Sequence, residues 1–320
     1  MDMESKLYGY KIKMQPFIRE LKFTAKRIRS SPLSIVGALI VVFFVILALV
    51  APLLASPGHP SQGGNPYMMP KYGIAVTPKP PGSTIKDGYV IFGTTAWQYD
   101  IYYGCIWGSR SAFRIGLLVI IPSLLILGSL SGYYGGYMDE ALMRLTDIIL
   151  AFPSLILCMA FIVVLVPLGI ERLDAVMLAF VLVSWPGYAR TIRGEVLRVK
   201  NEDYIEAARA IGCSDLRVIF RHILPNAIYP VVIMASLDIG TIVLSVAALT
   251  FLGLGAPEGW ADWGQLIAYS RNFIYGKPND PFCYWYTFVI PGLFISLFTL
   301  GWNLLGDAFR DILDPTIRRK

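Results

Sequence analysis

Long uncharged apolar runs alternate along this chain with short, dense polar clusters. A helix needs about 20 apolar residues to cross the hydrocarbon core of a bilayer, and six runs reach or approach that length: 33–55, 115–138, 148–170, 175–190, 226–257 and 281–306. The fourth is short and spans only if Arg190 snorkels to the interface. Asp238 is the only charge in the fifth run, and the sixth has none. The pattern predicts an all-α integral membrane protein with six transmembrane helices. One stretch breaks it: seven Lys/Arg and five Asp/Glu lie between Arg190 and Arg221, with membrane-grade sequence on both sides. Such a segment reads as a surface for a soluble partner.

Composition agrees, with 55% hydrophobic and 16% charged residues and a mean hydropathy of +0.57. The net charge of +6 could suggest nucleic acid, but there is no compact basic groove with interleaved aromatics, and sorting of Lys/Arg across a bilayer explains the charge. With both termini in the cytoplasm, inner segments hold 20 of the 28 basic residues and outer segments seven, as the positive-inside rule requires. Residues 1–32 carry eight Lys/Arg and the run after them lacks a small-residue cleavage site, so 33–55 reads as an uncleaved anchor. Residues 56–109 form the one large outer segment, early rich in Pro and Gly and later in Trp and Tyr. They read as a small folded cap with strand character at 89–92. The core is then 110–308, the polar loop 193–225 and the tail 309–320.

The tools of catalysis are absent. His59 and His222, the only histidines, fall on opposite sides of the membrane, so no His-based metal cluster or Ser-His-Asp arrangement assembles. Gly259 and Gly264 have phosphate-loop spacing, but Gln265 stands where Lys is required. Any nucleotide energy must enter from another chain. Cys105 and Cys283 both fall outside, where a disulfide could tie the cap to the last outer loop.

Locally, the polar segment reads as two short helices. Asn201 is placed to cap the first, Glu202 and Asp203 suit the positive end of its dipole, and 204–211 is a good helix former. Gly212 accepts left-handed backbone angles and ends it, and Ser214 or Asp215 caps a second helix through Ile223. Pro225 then starts the fifth span at a position where proline is tolerated.

Glu206, Ala207, Ala208, then Gly212, then Leu224 and Pro225 resemble the coupling loop of ATP-binding-cassette importer permeases. Gly132, Tyr133, Tyr134, Gly135, Gly136, Asp139, Met143, Arg144, Asp147 and Phe152-Pro153 fit that family. So do Trp185-Pro186, Ala189-Arg190, Arg193, Glu195, the 249–255 run and the stretch from Asn303 through Asp307, Arg310 and Asp311 to Asp314-Pro315. The similarity covers nearly the whole chain and is greatest to the second membrane subunit of dipeptide, oligopeptide and nickel permeases. Departures from the family pattern sit at Thr95, Gln98-Tyr99, Val246 and Thr250.

The resemblance implies a type I importer core with the cap between helices 1 and 2. It implies a second homologous permease, two cytoplasmic ATPase subunits that bind ATP and Mg, an extracytoplasmic substrate-binding protein and the lipid bilayer as partners, with no cofactor on this chain. Tyr204, Glu206, Ala207, Ala208, Gly212, Leu224 and Pro225 would carry ATPase coupling. Peptide is the leading cargo, with nickel and oligosaccharide as alternatives. A secondary transporter or channel and a membrane assembly protein without transport are the rival classes, and the docking loop argues against the first.

Within the spans, Asp238 is either a group lining the passage or a carboxylate near the interface, since an intramembrane charge is costly without water or a partner. Asn303 is either interhelical glue or a ligand of the passage. Gly128, Gly132 and Gly136 share a helix face and predict close helix approach, with a flexible turn as the alternative at Gly135 and Gly136. Arg144 and Asp147 read as a local ion pair, and Trp260 and Trp263 as interface anchors.

Overall fold

The structure, a computed structural model, describes residues 31–85, 88–123 and 127–313. The expected amino-terminal segment 1–30 and the end of the tail, 314–320, lie outside the described residues.

Helix α1, Pro32–Leu54, follows the first apolar run closely. A connecting region with a two-stranded antiparallel hairpin, β1 Ser83–Ile85 and β2 Gly88–Val90, leads to α2, Ile101–Ser123, and its continuation α3, Leu127–Tyr134. Next come α4, Gly136–Leu150, and α5, Ser154–Leu165. Helix α6, Arg172–Val199, precedes three short helices, α7 Asp203–Ala210, α8 Asp215–Val218 and α9 Leu224–Ala227. The described residues end in α10, Tyr229–Phe251, α11, Trp263–Tyr269, and α12, Tyr286–Leu313. Among the described residues five helices are long and apolar enough to cross a membrane, and the count reaches six if one bent pair is a single span.

Several boundaries differ from the hydrophobic pattern: α6 runs nine residues past the expected end at Arg190, and α12 covers Tyr286–Leu313 rather than 281–306. The second span opens at Ile101 rather than Ile115, so 101–109, expected in the cap, are its first turns. Their aromatics hid this: the Trp107 indole is buried and donates to the Ala55 carbonyl at 2.8 Å, so the cap covers a helix end that looks extramembranous by composition. The third run splits, because α4 and the helix beginning at Ser154 meet at 94°. Pro153, the residue before α5, breaks the helix there, and 148–150 belong to α4.

Helix α6 is the hub, packing against α2, α3, α4, α5 and α10, while α12 packs against α1 and α10. Glycine allows the closest crossings. A Cβ on Gly128 would lie 2.0 Å from the Ala189 carbonyl oxygen and one on Gly132 3.0 Å from that of Arg193, so the expected close approach is met at both. Gly136 meets nothing within 4 Å and has φ +61°. It serves the turn between α3 and α4 instead.

Trp260 and Trp263 are packing residues, not interface anchors. Trp263 is buried against Phe44, Phe294 and Phe298, with its indole N–H on the Cys105 carbonyl at 3.0 Å. Trp260 stacks on Tyr67 of the cap. Backbone bonds from Met69 N–H to the Gly259 carbonyl and from Ala261 N–H to the Tyr67 carbonyl, both 2.7 Å, stitch the cap to the connection after α10. Cys105 is wholly buried, and the Cys105–Cys283 disulfide is not formed: both cysteines are free.

Candidate ATPase-docking elbow

Residues 203–227 build an elbow of short helices at the end of α6. Helix α7 buries Ile205 and Ala208 and leaves Tyr204, Glu206, Ala207 and Arg209 outward. Its end is closed by two bonds, Cys213 N–H to the Ala208 carbonyl at 3.1 Å and Gly212 N–H to that of Arg209 at 2.9 Å. This paired closure requires the residue after the helix to be left-handed, and Gly212 has φ +85°. Beyond it, Val218, Ile219 and Ile223 turn inward while Leu216 and Phe220 stay exposed. Ile211, at the apex, is 81% exposed.

Two expectations for this segment change. Asn201 does not cap α7. Its amide donates back to the Leu197 carbonyl at 3.0 Å and closes α6, while Glu202 takes the cap position without a side-chain bond. Ser214 does precede α8, also without a side-chain cap bond. Pro225 does not start the fifth span. A π-helical turn, Ile219–Ile223, runs into α9, and α10 begins at Tyr229 with Pro230 in its first turn. The backbone bonds Ile228 N–H to Leu224 and Val232 N–H to Ile228, each 3.0 Å, keep the path from elbow to span helical.

Side chains tie the elbow to the bundle. Tyr133, at the end of α3, donates to Asp215 Oδ1 at 2.6 Å, and the Arg209 guanidinium lies 5.3 Å from the Tyr133 ring centroid. Lys200 Nζ donates to the Gly132 carbonyl at 3.0 Å. Arg193 makes a bidentate pair with Asp139, which also accepts from Ser131 at 2.8 Å. Asp147 pairs with Arg190, and Arg144 pairs with Glu140. The expected Arg144–Asp147 pair is therefore replaced by one local pair and one that joins α4 to α6. The partners that join separate helices are far apart in sequence, so no local signal marks them.

The two candidate residues inside the spans part company. Asp238 lies about two and a half turns into α10, and its Oδ2 accepts from the buried Tyr188 hydroxyl of α6 at 2.6 Å. Sequence reasoning misses that partner, because nothing near Tyr188 points to a carboxylate 50 residues on. The Asn303 side chain, half-buried on α12, makes no hydrogen bond among the described residues. No group of three or more His, Cys, Asp or Glu among the described residues could hold a metal ion.

The elbow thus presents exposed apolar side chains, Tyr204, Ile211, Leu216 and Phe220, among exposed charges at Asp203, Glu206, Arg209, Arg217 and Arg221, and is tied by hydrogen bonds to the helical bundle. The model of the binding-protein-dependent transport system inner membrane component matches residues 124–319, which contain the whole elbow. The chain belongs to this permease family. A second model, for the N-terminal transmembrane domain of oligopeptide transport permease C, matches residues 22–70 of the permease. Over 296 residues it is 34% identical to a dipeptide transport system permease protein of Alkalihalophilus pseudofirmus, covering 92% of this chain and 89% of the relative. An oligopeptide transport system permease protein of Bacillus subtilis is also 34% identical over 296 residues, with 92% and 88% covered. A probable D,D-dipeptide transport system permease protein of Escherichia coli is 35% identical over 291 residues, with 90% and 89% covered. The permease is thus a non-catalytic inner-membrane subunit without a cofactor of its own, and its system draws on an ATPase and a binding protein carried by other chains.

Proposed function

We propose that this permease is the second membrane subunit of a peptide importer, and that its elbow faces the cytoplasm and seats in a groove of a separate ATPase subunit. The elbow surface carries this reading. Tyr204, Ile211, Leu216 and Phe220 are exposed on short helices whose opposite faces, at Ile205, Ala208, Val218 and Ile219, are buried. An apolar set that the chain does not cover itself fits a protein partner, and Glu206 beside Arg209 adds charge at the rim. The excess of Lys/Arg on the elbow side supports the cytoplasmic orientation. Peptide is the cargo named for the relatives described above, and their coverage of this chain supports its transfer.

The full assembly adds one homologous permease, two ATPase subunits that hold ATP and Mg, and an extracytoplasmic binding protein that delivers cargo. Closure of the ATPases moves Glu206, Ala207, Ala208 and Gly212, and the helical path through Leu224 and Pro225 carries the displacement into α10, a rigid-body switch between two packings. Asp238 acts through Tyr188 to hold α6 and α10 together during that motion. The Asn303 amide is available to the second permease or to the passage between the two.

Co-purification of the assembled complex tests the docking. Glu206→Lys and Gly212→Asp are expected to lose ATPase subunits or to abolish substrate-stimulated ATP hydrolysis. Wild-type retention, hydrolysis and uptake in both variants would refute it.

A further inference from the structure

At the end of the molecule opposite the elbow, a cleft of about 330 Å³ opens beside the carboxyl end of α10. Small-molecule sites occupy about 300–1,000 Å³. Its lining includes Arg172, Arg271 and Glu258, and none of the three is in an ion pair among the described residues. Arg271 is nonetheless held in place. Its guanidinium lies 4.5 Å from the Phe251 ring centroid and donates to the Phe251 carbonyl, which leaves further N–H groups unused. Glu258 accepts only a long bond, 3.4 Å, from the Tyr99 hydroxyl, and Tyr99 is fixed by stacking on Tyr269 at 4.9 Å.

A second observation concerns Trp97, which also lines the cleft. Trp97 and Gln98, with φ +69° and +63°, are the only non-glycine residues with positive φ among the described residues. L side chains rarely adopt that region, and here the surroundings enforce it. Gln98 is buried: its amide donates to the Thr77 carbonyl at 2.6 Å, its N–H to the Thr95 carbonyl at 3.1 Å, and its own carbonyl accepts the Tyr72 N–H at 3.0 Å. The result is an indole, 46% exposed, standing at the cleft on backbone that would otherwise relax. Over-determined strain of this kind clusters at ligand clamps.

We propose that this cleft is a peptide-receiving site on the permease itself, in which Arg271 and Arg172 take the carboxylate of a short unblocked peptide, Glu258 takes its ammonium group, and the Trp97 indole covers a side chain. The proposal rests on the peptide reading above and on the outward orientation of this end. Two guanidiniums and one carboxylate in one concavity match a zwitterion, and guanidinium is suited to bidentate capture of a carboxylate.

The assembled importer, without its binding protein, is titrated with trialanine, N-acetyl-trialanine and trialanine amide, reading indole fluorescence against a Trp97→Phe blank. The free peptide is expected to bind saturably and the amide at least about tenfold more weakly, the scale of a lost charge-assisted bond. Arg271→Gln should erase the difference between free and amidated peptide, and Glu258→Gln that between free and acetylated peptide, with unchanged melting of the complex. Equal binding of the three peptides, no saturation at millimolar concentration, or wild-type discrimination in the variants would overturn the site. Variants that weaken only association of the binding protein would overturn it too, as a protein-docking surface. ATP-driven peptide uptake by the same complex in proteoliposomes, with the binding protein then added outside, separates the two levels: uptake with a flat titration sinks the cleft alone, whereas absent uptake sinks the peptide reading.

Discussion

Substitution of Gly212 isolates backbone conformation from every other property of the elbow. Its φ is +85° and an added Cβ would meet no atom within 4 Å, so no clash contributes. An ordinary L residue pays about 1–2 kcal/mol for the left-handed region. If it escapes to a right-handed conformation instead, the two closing bonds from Cys213 and Gly212 are lost, at about 0.5–1.5 kcal/mol each. Either route depopulates the docking shape by roughly five- to thirty-fold per 1–2 kcal/mol. Asn tolerates the left-handed region better than other side chains and Val tolerates it least. Coupling should therefore fall in the order Gly, Asn, Ala, Val. The assay is ATP hydrolysis by the assembled complex with and without loaded binding protein, alongside thermal melting. Because the position is exposed, melting should stay near wild type while stimulation falls. A Val variant that stimulates like wild type, or an Asn variant as damaged as Val, would refute the argument.

Three further outcomes rest on the packing. Gly128→Val places a branched side chain where a Cβ alone would sit 2.0 Å from the Ala189 carbonyl oxygen, so loss of folded, assembled permease is expected by size-exclusion and melting, at a cost beyond about 3 kcal/mol. Tyr188→Phe leaves the Asp238 carboxylate without its 2.6 Å donor and should destabilise by about 1–3 kcal/mol, with Tyr188→Phe/Asp238→Asn recovering part of the loss in a double-mutant cycle. Asp262 caps α11 through Gln265 N–H at 3.0 Å, and burial pushes its carboxyl up from 3.8 to about 6. Its folded value is the higher one, so its stabilising share is full below about 3.8 and is lost as pH rises through about 6. By linkage that is about 3 kcal/mol between the two limits. Asp262→Asn, which keeps a cap acceptor, should flatten the melting-versus-pH curve between about pH 4 and 7, and an unchanged curve would count against it.

Much of this architecture was legible because membrane helices announce themselves by apolar length. The limits lay where tertiary contact overrides composition. Arg110, Arg114 and the aromatics near Trp107 made the opening of α2 look extramembranous, yet the cap buries that end. The 148–150 stretch is as apolar as the start of α5, but Pro153 turns the chain through 94° between them. The elbow was readable from Gly212 and the acidic start of α7, since caps and turns are local. Its attachment was not: Tyr133 to Asp215, Lys200 to Gly132 and Arg193 to Asp139 join residues 54 to 82 positions apart. Trp97 carries no sequence mark, because its backbone angle is imposed by bonds made through Gln98 to distant residues.

The central claim is that energy enters this permease through the elbow from a separate ATPase. Uptake of a labelled peptide into proteoliposomes holding the full complex, with ATP enclosed with the ATPase subunits and the binding protein outside, tests it most directly. The account predicts uptake that requires ATP and binding protein, ignores imposed ion gradients, and collapses in Glu206→Lys with the complex still folded. Uptake driven by an ion gradient alone, or ATP-driven uptake undiminished in Glu206→Lys, would contradict it.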